Sequence, residues 1–118
     1  MLTEPLKHEI VSRITQMYHT ERIILFGSYA TDRHHEDSDI DLLVVLAERG
    51  FSKTYSEKIQ RRLNIAKLFG DLAAKTPLDI LVYTKDEWNE LQRINSSFIR
   101  EMNVTGVPIY ESIHPELA

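Results

Sequence analysis

Residues 24–45 read ILFGSYATDRHHEDSDIDLLVV. Two apolar runs flank a polar stretch that opens with Gly27-Ser28 and closes with Asp39-Ile40-Asp41. A short apolar run bounded by turn residues is the pattern of a buried strand. Residues 22–26, RIILF, and 40–46, IDLLVVL, are therefore read as two strands joined by a polar loop. Side chains alternate across a strand, so Asp39 and Asp41 face one way while Ile40 and Leu42 face the other.

Upstream, Leu6, Ile10, Ile14 and Met17 recur at helical spacing over 5–19, with Pro5 in the first turn. Downstream, the polar stretch 48–54 contains Gly50 and reads as a loop. A helix is expected over 54–75, with Ile59, Leu63, Ala66, Phe69, Leu72 and Ala73 along one side, stopped by Pro77. Residues 78–83, LDILVY, form a third strand. Thr84-Lys85-Asp86-Glu87 has the form of a capping box and opens another helix through Trp88 and Leu91. Ser96 or Ser97 caps a last short helix that stops near Gly106. Residues 107–110 then give a small edge strand, where Pro108 is tolerated. The order α-β-β-α-β-α-α-β predicts one domain over 1–118 of the α/β (α+β) class, a small mixed sheet with helices packed on one face.

Composition narrows the partners. The chain has 118 residues, a net charge of −4 and no cysteine. That length suits one domain. The acidic balance excludes the electrostatic footprint of a long nucleic acid. The lack of cysteine excludes disulfides and thiolate chemistry and fits a cytoplasmic location. The longest apolar run, LLVVLA, is far too short to span a bilayer, and MLTEPLKHEI lacks the order of a signal peptide.

Two ionised carboxylates side by side repel, and one pKa rises unless a cation lies between them. Magnesium removes that conflict, because it prefers carboxylate oxygen and brings phosphate with it. Asp79 enters the third strand after Pro77 and reaches the same face if the second and third strands pair. Three carboxylates on one open face suit two metal ions about 3.5–4 Å apart, the spacing of in-line phosphoryl displacement. Read singly, Asp39 and Asp79 fit strand-start caps as well as ligands. Asp41 lies inside an apolar run, where burial without a partner is costly. Gly27 lets the backbone approach a ligand closely or take a positive φ, and Ser28 with the amides that follow suits an anion. Arg33 reads as a phosphate contact or as plain loop charge. His34-His35 reads as solvated loop, and Tyr83 as packing or a neighbour of the carboxylates. Lys53, Lys58, Arg61, Arg62 and Lys67 give the long helix a basic face that is solvated or meets an acidic partner.

Gly27-Ser28, ten residues, Asp39-Ile40-Asp41 and then Asp79 on a later strand resemble the nucleotidyltransferase superfamily that includes DNA polymerase β. The stretch YTKDEWNELQRINSSFIREMNVTGVPIYE is similar to the tails of minimal nucleotidyltransferases encoded beside HEPN-domain partners. Among these are the MntA-type antitoxins, which move AMP from ATP onto a tyrosine of a paired HepT-type ribonuclease toxin. The resemblance implies a nucleotidyltransferase palm and a metal-dependent protein adenylyltransferase. It implies that Asp39, Asp41 and Asp79 ligate two Mg2+ ions, with Asp79 assisting deprotonation of the attacking hydroxyl. Gly27 and Ser28 would hold the β- and γ-phosphates of ATP, with Arg33 beside them. The implied partner is a HEPN-domain toxin with which the chain assembles. The pattern departs at Tyr29, where many such antitoxins have arginine, and at Asp32, where they often have glycine. Two other readings stay open: an aminoglycoside-like small-molecule nucleotidyltransferase, and a non-catalytic antitoxin that neutralises by binding.

Overall fold

The computed structural model describes residues 2–31 and 38–112. Helix α1, Glu4–Met17, starts where the Thr3 hydroxyl accepts the Leu6 amide, and buries Ile10 and Ile14. Strand β1, Thr20–Phe26, leads through one 3-10 turn, Gly27–Tyr29, towards β2, Ile40–Leu46. Helix α2, Tyr55–Ala66, is capped by Thr54 and gives way to a 3-10 turn at Lys67–Phe69 and a short α3, Gly70–Ala73. Strand β3, Leu78–Thr84, follows. The expected capping box is present, Thr84 and Glu87 satisfying each other's backbone amides at the start of α4, Lys85–Ile94. Ser96 caps α5, Ser97–Thr105, and β4, Val107–Glu111, closes the chain order.

The four strands form one mixed sheet in the order β3-β2-β1-β4. Strand β1 pairs antiparallel with both β2 and β4, whereas β2 and β3 run parallel. A parallel pair needs a crossover, and α2 with α3 supplies it.

The mixed α/β sheet matches expectation, but helices cover both of its faces rather than one. Ile23, Leu25, Ile40, Leu42, Val44, Ile80 and Val82 pack with Ile10, Ile14, Ile65 and Phe69 on one side. Ile24, Leu43 and Val45 pack with Trp88, Ile99 and Met102 on the other. The reason is visible in β2, whose residues Leu42 to Leu46 are all buried. A continuous apolar strand with no alternation belongs to a sheet covered on both faces.

The helix expected over 54–75 breaks after Ala66, and its buried residues are Ile65 and Phe69, with Leu63 left exposed. The break has a partner. Arg13 donates 2.8 Å to the Leu68 carbonyl and pairs with both carboxylate oxygens of Asp71. That contact takes a carbonyl that an unbroken helix would use internally, and it seats Phe69 under the guanidinium, 6.0 Å from the ring centre. Among the described residues no helix is long and apolar enough to cross a membrane.

Candidate functional site

The two central strands bring the acidic residues together. Antiparallel pairing sets Phe26, the last residue of β1, opposite Asp41. Parallel pairing sets Asp41 opposite Asp79. Paired residues on adjacent strands share a face and lie roughly 4.8 Å apart, so these two carboxylates are neighbours. Asp39, just before β2, is exposed at the same edge.

Gly27 is fixed by what it faces. Its φ is +73°, and a Cβ there would come within 2.1 Å of Asp41 Oδ2. The positive φ offered by the sequence reading occurs here, and the close neighbour is the Asp41 side chain. The Gly27–Tyr29 segment is a single 3-10 turn, closed by the Ala30 amide donating 3.1 Å to the Gly27 carbonyl. Thr31 turns its hydroxyl back to the same carbonyl at 3.4 Å. Ser28 is thereby held beside the acidic pair, half-buried.

The electrostatics are strained in one direction. Burial pushes the Asp41 carboxyl above its usual range, and the charges of Asp79 and Asp39 push it further. Asp79 has found a cation of its own: Arg62, from α2, donates a hydrogen bond to its Oδ1. One helical turn earlier, the Lys58 ammonium stands 5.2 Å from the centre of the Tyr83 ring. Burial raises the Tyr83 hydroxyl, nearby Glu87 adds to this, and Arg62 opposes it. Tyr83 thus lies on the Asp79 face of β3, half-buried between packing and solvent.

The acidic residues are not a preformed cage. Among the described residues no three acidic or histidine side chains are grouped closely enough to hold a metal ion. Asp41 and Asp79 are brought side by side, Asp39 stands at the rim, and Asp79 engages Arg62. The predicted contacts of Arg33, and with them Asp32, His34 and His35, lie outside the described residues. Sequence reasoning placed Arg62 on a basic face but missed its partner. The available signal was its spacing of four residues from Lys58 on the crossover helix, which puts both on the side that passes β3.

A cleft of ≈ 410 Å³ opens between Phe26, Gly27 and Ser28 on one side and Phe98, Glu101 and Met102 of α5 on the other. Phe98 meets Phe26 edge-on with ring centres 6.1 Å apart. A more polar hollow of ≈ 330 Å³ lies at the other end of the sheet, between residues 15–20 and Tyr110, and contains no carboxylate side chain.

Comparison with known proteins gives the family and the fold. Residues 7–103 match the family described as "Nucleotidyltransferase domain". A Methanocaldococcus jannaschii protein named "Putative protein adenylyltransferase MJ0141" is 34% identical over 89 residues, spanning 75% of this chain and 78% of that protein. Among solved structures, a "putative nucleotidyltransferase" from Sulfolobus solfataricus superposes with a TM-score of 0.59 at 20% identity, covering 91% of this chain and 78% of that one. A toxin-antitoxin crystallised with AMP-PNP gives 0.57 at 19% identity, covering 94% of this chain and 78% of that one. A mutant of the toxin-antitoxin MntA-HpeT gives 0.55 at 18% identity, with the same coverage. At these identities the solved structures share the fold. The family match takes in β1, β2, β3 and both glycine-turn and aspartate positions, and the chain belongs to the nucleotidyltransferase domain family.

Proposed function

We propose that this chain moves AMP from ATP onto a hydroxyl of a partner protein, a tyrosine of a HEPN-type ribonuclease toxin, and so acts as its antitoxin. The observation that carries the reading is the in-register placement of Asp41 beside Asp79, against a glycine whose missing side chain leaves Asp41 its space. The name of the M. jannaschii relative supports adenylyl transfer to protein, and the fold is shared with toxin-antitoxin structures.

The donor set fits magnesium. It is all oxygen, it is negative, and Asp41 is pushed up by its own neighbours, a conflict that a divalent cation relieves. Asp39, Asp41 and Asp79 would hold two ions. Bound there, the metals supply charge neutralisation at the α-phosphate and a more acidic attacking hydroxyl.

The chain's own residues do the rest. The Gly27 backbone and Ser28, with Arg33, grip the β- and γ-phosphates. The cleft beside Phe98 takes the nucleoside. The acceptor oxygen bonds to the α-phosphorus as the bond to the bridging oxygen breaks. Pyrophosphate leaves towards Ser28, and the hydroxyl proton passes to Asp79. Positioning of a folded partner supplies much of the rate gain.

The test is incubation with Mg2+, ATP and the product of the adjacent open reading frame. Mass spectrometry is expected to find AMP on a tyrosine of that product, and an unmodified product overturns the reading. Modification of an aminoglycoside instead identifies a small-molecule transferase. Neutralisation that survives Asp39→Asn with Asp41→Asn identifies an antitoxin that works by binding alone.

A further inference from the structure

In an in-line displacement the attacking and leaving oxygens stand on opposite sides of the phosphorus. The inference below rests on the nucleotidyl transfer proposed above. Strand order then fixes a direction. The phosphate grip is at the end of β1, the carboxylates are on β2 and β3, and α2 passes the outer edge of β3. Pyrophosphate departs on the β1 side, so the acceptor arrives over β3 and α2.

Two cations of α2, Lys58 and Arg62, stand along that edge in a chain whose net charge is −4. Tyr55, Lys58 and Arg62 are spaced three and four residues apart and share one stripe of α2. Tyr55 is 79% exposed. Lys58 is exposed, with its ammonium over Tyr83. Arg62 has 40% of its side chain in solvent and commits one nitrogen to Asp79. A guanidinium has five donors, so others remain for a second partner. The neighbouring acids are occupied within the fold. Arg61 pairs with Glu48, Glu57 and Glu87 and donates to the Ser52 hydroxyl. The Lys58 charge is therefore left facing outward, next to the Arg62–Asp79 pair.

We infer that the stripe Tyr55–Lys58–Arg62 is the acceptor's docking surface, and that it takes an acidic polypeptide segment flanking the modified hydroxyl. Lys58 and Arg62 pair with its carboxylates, and Tyr55 covers its apolar atoms. Rim charges of this kind act on encounter rate and salt dependence rather than on chemistry.

The probes are the random copolymers poly(Glu,Tyr) and poly(Lys,Tyr), each given Mg2+ and ATP labelled at the α-phosphate. The full chain is expected to label poly(Glu,Tyr) roughly tenfold more than poly(Lys,Tyr) at low salt. Lys58→Glu lowers kcat/KM for poly(Glu,Tyr) about tenfold, flattens its salt dependence, and leaves the calorimetric Kd for ATP unchanged. Lys58→Gln falls between the two. Equal labelling of both polymers, labelling of neither while ATP still binds, or an unaltered Lys58→Glu overturns the inference. Failure of the wild-type chain to bind ATP overturns the underlying function instead.

Discussion

The two ends of the parallel pair β2–β3 treat their carboxylates in opposite ways. Where the strands begin, Asp41 is crowded by Asp79 and Asp39 and its carboxyl is pushed up. Where β3 ends, Glu87 is more deeply buried but well supplied with donors. The amides of Ser52 and Thr84 both donate to it at 2.9 Å, and Arg61 stands 3.5 Å away. Burial alone would raise Glu87, but these donors and the Arg61 charge outweigh it and leave the group below its ordinary value. Asp86 beside it is likewise lowered, first by the Gly50 amide and then by Arg49. One end is built to be stable as it stands. The other stores repulsion among carboxylates, a condition that functional sites often share.

The sharpest way to break that contrast is Asp41→Asn. Transfer should fall on the order of 10³-fold in a radiolabel assay, since the proposed function has this group act at the reacting phosphate. Thermal stability should hold or rise, because a partly buried charge and two repulsions disappear. Mg2+ with ATP should raise the wild-type Tm and leave that of Asp41→Asn unmoved, by mass action on the folded state. A Tm that drops sharply in the variant would show that Asp41 is structural after all.

Next come two glycines, one at each end. Gly27→Ala meets both a positive φ and Asp41 Oδ2, and should cost about 2–3 kcal/mol in urea unfolding, with transfer lost as well. Gly50, φ +95°, has nothing within 4 Å of a built Cβ. Gly50→Ala should cost about 1 kcal/mol, from backbone strain alone, with transfer intact.

Glu87→Gln should cost about 1–2 kcal/mol at neutral pH. The sign of its pH dependence is set by the lowered folded value. The stabilisation is complete above the ordinary 4.5 and is lost as pH falls through the folded value. The gap between wild-type and variant urea midpoints should therefore close on acidification. Smallest of all, Glu90→Gln removes an exposed pair with Arg93 and should leave Tm unchanged.

Much of the site was legible because it depends on short-range rules. Gly27 closes one apolar run and Pro77 precedes another, so the end of β1 and the starts of β2 and β3 could be read to a residue, though β1 begins at Thr20, two residues before the expected start. Alternation then put Asp41 and Asp79 on definite faces. The capping box at Thr84 and the cap at Ser96 are likewise local chemistry. Illegible were the contacts that join distant segments. Arg62 finds Asp79, and Arg13 finds the Leu68 carbonyl, only once the crossover has chosen its path. The second helical layer was available in the unbroken apolar run of β2, but a tail of two short helices does not declare which face it returns to. The bounds of α2 failed because a carbonyl fifty-odd residues away in sequence from its donor decided where the helix ends.

The parallel register has a consequence for how such a chain can change over generations. A single codon gained or lost within Leu78–Thr84 would turn the side chains on one side of the change to the opposite face of the sheet. Either Asp79 would be driven towards Ile65 and Phe69, or Ile80 and Val82 would be turned out to the face of Asp41. Register, packing and the placement of Asp79 are thus inherited as a single pattern along this strand, and drift in length is confined to segments beyond its ends.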